Sequence, residues 1–166
     1  MAFDAFLKID GIQGDSADEK HLDWIEVNSF HHGISQPAGG ASSAQGVHTG
    51  GRADHQEFTI TKRLDSASPT LALYCCEGRH IPEITMECCR AMGEKTVFML
   101  YRFKDTIVAS VGIHGSAESD DPIPMEEVSF RYGEIHWEYT PTDPTGGGKT
   151  KAPKRGGWSV HANKPL

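Results

Sequence analysis

Histidine is the residue type in this chain that most invites a chemical role, and there are nine histidines. His31 and His32 are adjacent, and imidazole nitrogens are common ligands of zinc and other transition metals. Successive side chains of a strand point to opposite faces, so one ion is not expected to bind both rings. A metal site would need further ligands, and the candidates are His48, His55 and His136. A structural or solvent-exposed role is therefore favoured over a metal site.

The segment Thr145–Thr150 (TGGGKT) has the glycines and lysine of a phosphate-binding loop. That loop also requires a glycine five positions before Gly148, where this chain has Asp143. Pro153 is incompatible with the helix that should receive the phosphates. The segment therefore indicates a flexible turn. The overlapping basic run Lys149–Arg155 lacks the interleaved aromatic residues of a nucleic-acid site.

An acidic cluster, Glu118 with Ser119–Asp121, separates two predicted strands. Such carboxylates can bind calcium, but the alternating ligand spacing and turn glycine of an EF-hand loop are missing. A solvated acidic loop is favoured. The sequence also lacks the Gly-x-Ser-x-Gly elbow of serine hydrolases. We therefore expect neither an enzyme nor a bound metal or cofactor.

The four cysteines form two adjacent pairs, Cys75–Cys76 and Cys88–Cys89. Neither pair has the C-x-x-C spacing of a zinc site or redox motif. No cysteine has an evident histidine partner in the sequence. Reduced thiols are favoured, and a disulfide between the predicted helix and the following strand stays an alternative.

The composition is typical of one β domain with long loops. The chain has 166 residues, of which 37% are hydrophobic and 18 are glycine. A formal net charge of −7 argues against nucleic acid and anionic membrane surfaces as partners. Met1–Asp10 lacks the apolar region of a secretory leader, and no run is long enough for a membrane-spanning helix. We therefore expect a protein made in the cytoplasm, without membrane insertion, whose export needs no cleaved signal peptide.

One segment predicts a helix within a chain of strands. Ser68 offers an N-cap oxygen, Pro69 fits the first helical position, and Gly78 can end the helix in the left-handed conformation. Alternating polarity elsewhere predicts strands, with a turn at Lys104–Asp105. The predicted fold is mainly β: a closed β-barrel or tight two-sheet sandwich of about eight strands. One short α-helix, at about 69–77, lies on its side.

The loops are long for a domain of this size. We expect a single domain over residues 1–166, with long loops at about 36–54, 115–124 and 141–157. The first of these loops is rich in glycine and has almost no large apolar residue. A loop of that length in a compact domain is usually functional or disordered.

Five blocks of the sequence, in order and nearly end to end, match the pattern of one family. They are FLKIDGIQGDSADEKHLDWIEV (Phe6–Val27), HHGISQP (His31–Pro37), DHQEFTITKRLDSASPTLALYCCEGRHIPEI (Asp54–Ile84), PMEEVSFRYGEIHWEY (Pro124–Tyr139) and GGWSVHANK (Gly156–Lys164). Together they resemble the Hcp family, the haemolysin-coregulated proteins that form the inner tube of bacterial type VI secretion systems.

The resemblance implies a β-barrel with one helix that assembles into homo-hexameric rings. In this family the rings stack into a hollow tube, which a contractile sheath drives out of the cell behind a spike protein. The lumen of the tube can carry effector proteins. These expectations rest on the resemblance and not on composition or spacing.

The resemblance also suggests candidate contact residues. The loop at 36–54 resembles the family's extended loop, which reaches towards a neighbouring subunit. Gln45, His48 and Arg52 could then pair across subunits. Some members carry tryptophan where this chain has His32. If that position faces a ring contact or the lumen, this chain has a titratable group there.

Two other functions compete with a tube subunit. One is a small metal-dependent β-barrel enzyme that uses His31, His32 or His136. The other is a monomeric ligand-binding barrel. The sequence ends at Leu166, just past the last predicted strand, and we therefore expect a tube component without a fused toxin domain.

Overall fold

A computed structural model describes residues 3–37, 50–90, 95–118, 120–143 and 151–166. This part of the chain contains eleven strands and one α-helix. The elements are β1 (Phe3–Ile9), β2 (Ile25–Val27), β3 (Ser29–His31), β4 (Ile34–Ser35), β5 (Asp54–His55), β6 (Phe58–Arg63), α1 (Ser68–Glu77), β7 (His80–Arg90), β8 (Thr96–His114), β9 (Met125–Tyr139), β10 (Lys154–Ser159) and β11 (Lys164–Pro165).

Nine of the strands form one antiparallel sheet around the long strands β7, β8 and β9. Its order is β11-β10-β9-β8-β7-β1-β2, and β6 pairs with both β9 and β3. The first half of β9 pairs with β6, as at Phe58 and Phe130, while its second half pairs with β10, as at Ile135 and Trp158. The sheet folds over so that both parts share one core, which confirms the mainly β, sandwich-like fold with a single short helix.

The sheet is not closed into a barrel. The pairing path ends at β2 on one side, although β3 follows β2 after the single residue Asn28. The Asn28 N–H donates to the carbonyl oxygen of Thr61 at 2.8 Å. β2 pairs with β1, whereas β3 pairs with β6. Asn28 therefore connects β2 and β3 along the chain, but these two strands form no ladder with each other.

The turn predicted at Lys104–Asp105 is wrong, because β8 runs continuously from Thr96 to His114. Asp105 adopts a left-handed backbone conformation with φ of 53° inside this strand. Its carboxylate accepts hydrogen bonds from His80 Nε2 at 2.8 Å and from His161 Nε2 at 2.6 Å. A bulge follows between Val108 and Ser110. Bulges increase local twist and bending, which lets one strand serve both parts of the folded sheet.

The helix agrees with its predicted position, but its first residue does not cap it. α1 begins at Ser68, after the N-cap residue Ala67, and Gly78 ends it with φ of 59°. The Ser68 hydroxyl points into the protein and donates to Glu126 Oε2 at 2.7 Å. The Ser68 hydroxyl, predicted to cap the helix, is thus hydrogen-bonded to the buried Glu126 carboxylate instead. Leu71 is fully buried, and α1 lies against β8.

The core is centred on aromatic side chains from facing strands. Phe58, Phe103 and Phe130 are fully buried, and the ring centroids of Phe58 and Phe103 lie 4.5 Å apart. Burial of each such side chain stabilises the fold by about 1.5–3 kcal/mol. The inward positions of β6 follow strict alternation, Phe58, Ile60 and Lys62, so the charge of Lys62 is carried into the protein interior.

Candidate functional site

The two ends of the glycine-rich loop are held together by a short ladder. β4 and β5 pair through Ile34 with His55 and through Ser35 with Asp54. The Gln56 N–H donates to the Gly33 carbonyl oxygen at 3.0 Å. We call residues 32–37 and 50–56 the loop stem. It fixes where the loop leaves the domain and where it returns.

Tyr132 of β9 contacts both halves of the loop stem. Its hydroxyl lies 2.6 Å from His32 Nε2 and 3.1 Å from His55 Nδ1. A phenolic hydroxyl can donate to one ring and accept an N–H from the other, so one group satisfies both ends of the stem. Burial raises the pKa of the Tyr132 phenol, which keeps this donor protonated.

His32 lies in an aromatic environment rather than in open solvent. Its ring lies 5.9 Å from Phe58, 6.4 Å from Phe103 and 5.7 Å from Tyr132, measured between centroids. Burial, followed by the neighbouring His55 and His31, lowers the pKa of His32 to about 4. The ring is therefore neutral at physiological pH. A contact of His32 with the lumen or with another subunit stays a prediction.

Arg52 ties the loop stem to the end of β10. Its guanidinium Nη2 donates to the carbonyl oxygen of Val160 at 2.5 Å. Gln36 Nε2 donates to the carbonyl oxygen of Gly51 at 2.6 Å across the stem. Both side chains are exposed, and Ile34 on the same stem is 44% exposed. The predicted partners Gln45 and His48 lie outside the described residues.

A shallow polar groove runs beside the loop stem, with a volume of about 590 Å³. Its walls include His31, Asp54 and His55. They also include Glu57 and Arg131, whose Oε1 and Nε lie 2.8 Å apart. A groove with charges of both signs suits contact with another polar protein surface more than a small apolar ligand.

Four of the histidines that the sequence offered as metal ligands, His31, His32, His55 and His136, are described and do not form a common metal site, while His48 lies outside the described residues. His32 and His55 meet at Tyr132, His31 is exposed on β3, and His136 lies 3.5 Å from Glu134. Of the acidic loop, Asp121 pairs with Arg63 at 3.1 Å. All four cysteines are free, as the sequence favoured.

A different cluster of His, Cys and carboxylate groups forms on the outer face of β1 and β7. His21 contacts Asp18 and Glu87, and its Nε2 lies 3.9 Å from Cys89 Sγ. The expectation that no cysteine has a histidine partner is therefore wrong. The two residues are 68 positions apart, so spacing could not reveal the pair. One signal was present: Phe6 interrupts the alternation of β1, and its ring stacks on His21 at 4.2 Å.

Large apolar side chains are also exposed on several different elements. Their exposed fractions range from 40% to 63%. They are Phe3, Leu22, Ile34, Leu73, Ile113, Ile123, Tyr139 and Leu166. They are spread over the two ends of the chain, the helix, the strand ends and two connecting segments instead of lining one pocket. This distribution suits a protein with more than one contact surface.

The comparisons with known proteins agree with one another. A family described as "Type VI secretion system effector, Hcp" matches residues 6–139. Protein hcp1 of Pseudomonas aeruginosa is 30% identical over 164 residues, which is 98% of each chain. A solved type six secretion system protein is 34% identical, with a TM-score of 0.92 over 99% of this chain and 100% of that chain. Hcp1 from Salmonella typhimurium is 31% identical, with a TM-score of 0.81 over the full length of both chains.

The fold and these matches thus define a protein of the type VI secretion class. The chain belongs to the Hcp family of type VI secretion system proteins. Among the described residues, no helix is long and apolar enough to cross a membrane.

Proposed function

We propose that this chain is the structural subunit of the type VI secretion inner tube. Six copies form a ring, the rings stack into a hollow tube, and the lumen carries effector proteins. A spike protein caps the tube and a contractile sheath surrounds it. The protein works through its surfaces and is not an enzyme.

The observation that carries this proposal is the match over the whole fold to a type six secretion system protein, with a TM-score of 0.92. The match covers 100% of that chain, so the domain has no large addition or loss relative to it.

The exposed apolar side chains support an assembling subunit. A ring that closes needs two different patches on each subunit, because its contacts are head to tail. Stacking of rings needs two more surfaces, one on each ring face. Exposed apolar groups on separate elements, such as Phe3, Leu73 and Ile113, suit several contacts better than one ligand site.

The loop stem supports a contact through the long loop. Tyr132 and Arg52 hold its base in place, while Ile34 and Gln36 remain exposed at the point where the loop leaves the domain. We propose that this loop reaches a neighbouring subunit and that Gln45, His48 and Arg52 pair there. His32 supports the loop stem from the protein interior through its contact with Tyr132.

The test is the assembly state of the purified chain. Light scattering after size exclusion should give a mass of six subunits, and electron microscopy should show six-fold rings. A strict monomer over a wide concentration range would overturn the proposal and favour a monomeric ligand-binding protein.

A variant of the loop stem tests the role of that surface. Ile34→Asp places a charge at an exposed position and should shift rings towards monomers, with unchanged far-ultraviolet circular dichroism. Ile34→Val is the matched control and should assemble normally. If Ile34→Asp stacks and assembles like the unmodified protein, the loop stem is not a contact surface.

A further inference from the structure

The outer face of β1 and β7 carries a second small buried cluster, separate from the main core. Glu87 and Cys89 are two positions apart on β7 and therefore share a face. Phe6 of β1 lies directly opposite Glu87 in the ladder. The segment that contains Asp18 and His21 covers this face, and His21 is only 2% exposed.

The ligand atoms of three side chains converge here. His21 Nε2 lies 2.9 Å from Glu87 Oε2 and 3.9 Å from Cys89 Sγ, and all three ligand atoms lie within 4.8 Å of one another. Tetrahedral zinc with ordinary bond lengths puts nitrogen and oxygen ligands roughly 3.3 Å apart, and nitrogen and sulfur ligands about 3.5 Å apart. Shifts of a few tenths of an ångström in the two His21 distances would bring them to these values.

We propose that His21, Glu87 and Cys89 form a binding site for a divalent metal ion of the zinc class. Imidazole, carboxylate and thiolate are the ligand types that zinc takes in proteins. Three protein ligands leave a fourth position for water or another group.

Asp18 gives His21 the support that zinc-binding histidines usually have. His21 Nδ1 lies 2.7 Å from Asp18 Oδ1, so its N–H donates to that carboxylate. This bond fixes the tautomer and leaves Nε2 directed at Glu87 and Cys89. The ring is also held by stacking on Phe6 and by an edge contact with Trp24, at centroid distances of 4.2 Å and 4.9 Å.

Charge and proton balance are compatible with a divalent ion. The Glu87 carboxylate and the Cys89 thiolate together neutralise a charge of +2, while Lys95 Nζ pairs with the Asp18 carboxylate at 2.5 Å. Binding forms one bond each from the metal to nitrogen, oxygen and sulfur. The thiol proton leaves to solvent together with any proton on Nε2, and no electrons are transferred.

An ion can reach the site from solvent. The Glu87 side chain is 21% exposed, whereas that of His21 is 3% exposed. An open groove of about 620 Å³ lined by Phe6, Asp18 and Lys95 lies beside the site, although none of the three ligands lines it. In the absence of metal, His21 lies within hydrogen-bond distance of two carboxylates, those of Asp18 and Glu87.

The experiment is a cobalt titration of the full chain without a histidine tag, because Co²⁺ reports zinc sites by its visible spectrum. The expected result is one Co²⁺ per chain, with the strong visible bands of tetrahedral coordination and a thiolate-to-cobalt band in the near ultraviolet. Added Zn²⁺ should abolish both. The absence of a thiolate band in the unmodified protein overturns the proposal.

Matched variants identify the ligands. Cys89→Ser should remove the thiolate band, while Cys76→Ser, at an exposed cysteine, should leave it unchanged. Asp18→Asn should weaken Zn²⁺ binding by 10- to 100-fold. A thiolate band that persists in Cys89→Ser, or that disappears in Cys76→Ser, overturns the assignment.

Two further measurements keep the test decisive if Cys89→Ser does not fold. Glu87→Gln changes the most exposed ligand and should weaken Zn²⁺ binding at least tenfold. In the unmodified protein, Zn²⁺ should slow alkylation of Cys89 and leave that of Cys76 unchanged. No protection of Cys89, or unchanged affinity in Glu87→Gln, counts against the site. These readouts do not depend on ring assembly.

Discussion

Lys62 Nζ lies 2.8 Å from Glu126 Oε2, and both side chains are completely buried. The ammonium group also contacts Asp65 Oδ1 at 2.7 Å and Ser68 Oγ at 3.0 Å. This network joins β6, β9 and the start of α1. Glu126 Oε1 is buried and has no hydrogen-bond partner among the described residues. The contacts of Lys62 and Ser68 with the other oxygen must therefore offset the cost of burying this carboxylate.

Removing one partner of this pair should be strongly destabilising. Lys62→Met leaves the buried Glu126 carboxylate without its cation, and we expect the free energy of unfolding to fall by about 3–5 kcal/mol. Urea unfolding followed by circular dichroism measures this. The double variant Lys62→Met/Glu126→Leu should recover much of the loss, because no buried charge remains.

The exposed pair Arg155–Glu138 is the control for that experiment. Its Nε and Oε2 lie 2.7 Å apart, but the Arg155 side chain is 70% exposed. Arg155→Met should leave the free energy of unfolding nearly unchanged, because solvent screens an exposed ion pair. Equal losses in Lys62→Met and Arg155→Met would refute a special role of the buried pair.

His32 should make the fold sensitive to mild acid. Its pKa is lowered to about 4 by burial first, below the value of 6.5 expected for an unfolded chain. Above about pH 6.5 the ring is neutral in both states and its contribution is complete. As the pH falls from about 6.5 to about 4, the unfolded state binds the proton first, and stability of about 2 kcal/mol is lost.

His32→Gln should flatten this part of the stability profile, since the amide can still bond to Tyr132 but does not titrate. The measurement is the free energy of unfolding between pH 7 and pH 4, compared with the unmodified protein. His31 is the last of the three causes of the lowered pKa, so His31→Gln should keep most of the acid sensitivity, whereas His32→Gln should remove it. An identical profile in His32→Gln would show that other groups cause the loss.

Gly133 makes room for the pair of His161 and Asp105. A Cβ atom at Gly133 would lie 2.3 Å from His161 Nε2 and 2.7 Å from Asp105 Oδ2. The His161 hydrogen bond is the largest cause of the lowered pKa of Asp105, followed by that of His80. Gly133→Ala should therefore displace the His161 ring and raise the pKa of Asp105 towards its ordinary value.

Carboxyl-carbon NMR titration of Asp105 checks that prediction. A lowered carboxyl pKa contributes stability above the unfolded value of 3.8 that is lost as the pH falls, and Gly133→Ala should reduce this effect. Gly156→Ala is the control, because its nearest contact would be an ordinary 3.5 Å to the Trp137 ring. An unchanged Asp105 pKa in Gly133→Ala would contradict the role of Gly133.

The two cysteine pairs should react differently with an alkylating reagent. Cys76 is exposed, whereas Cys88 is 1% exposed within the main core. In the native protein, Cys76 should be labelled while Cys88 remains unmodified. Mass spectrometry of peptides measures the two labelling rates. Urea should make the two rates equal. Equal rates in the native state would show that β7 opens readily.

Much of the local structure could be predicted from the sequence. Pro69 and Gly78 mark the two ends of the helix, because one fits the first turn and the other adopts the left-handed conformation that ends it. The alternation of Phe58 and Ile60 with Thr59 and Thr61 predicts the strand β6 and its inward face, and the structure adds Lys62 to that face. These signals depend on backbone geometry over a few residues, so they do not need the rest of the fold. The five ordered sequence blocks were sufficient to predict membership of the Hcp family.

The tertiary structure decided which distant groups meet. Alternation states which face a side chain occupies, but it does not state which strand lies opposite or in what register. The contact of Lys62 with Glu126 depends on the register of β6 and β9. The contact of His21 with Cys89 and the bridge from Tyr132 to His32 depend on how connecting segments pack against distant strands. The open path of the sheet and the continuity of β8 through Asp105 also depend on which distant segments meet. Local propensity at a polar pair such as Lys104–Asp105 favours a turn, while hydrogen bonds from His80 and His161 hold Asp105 within a strand.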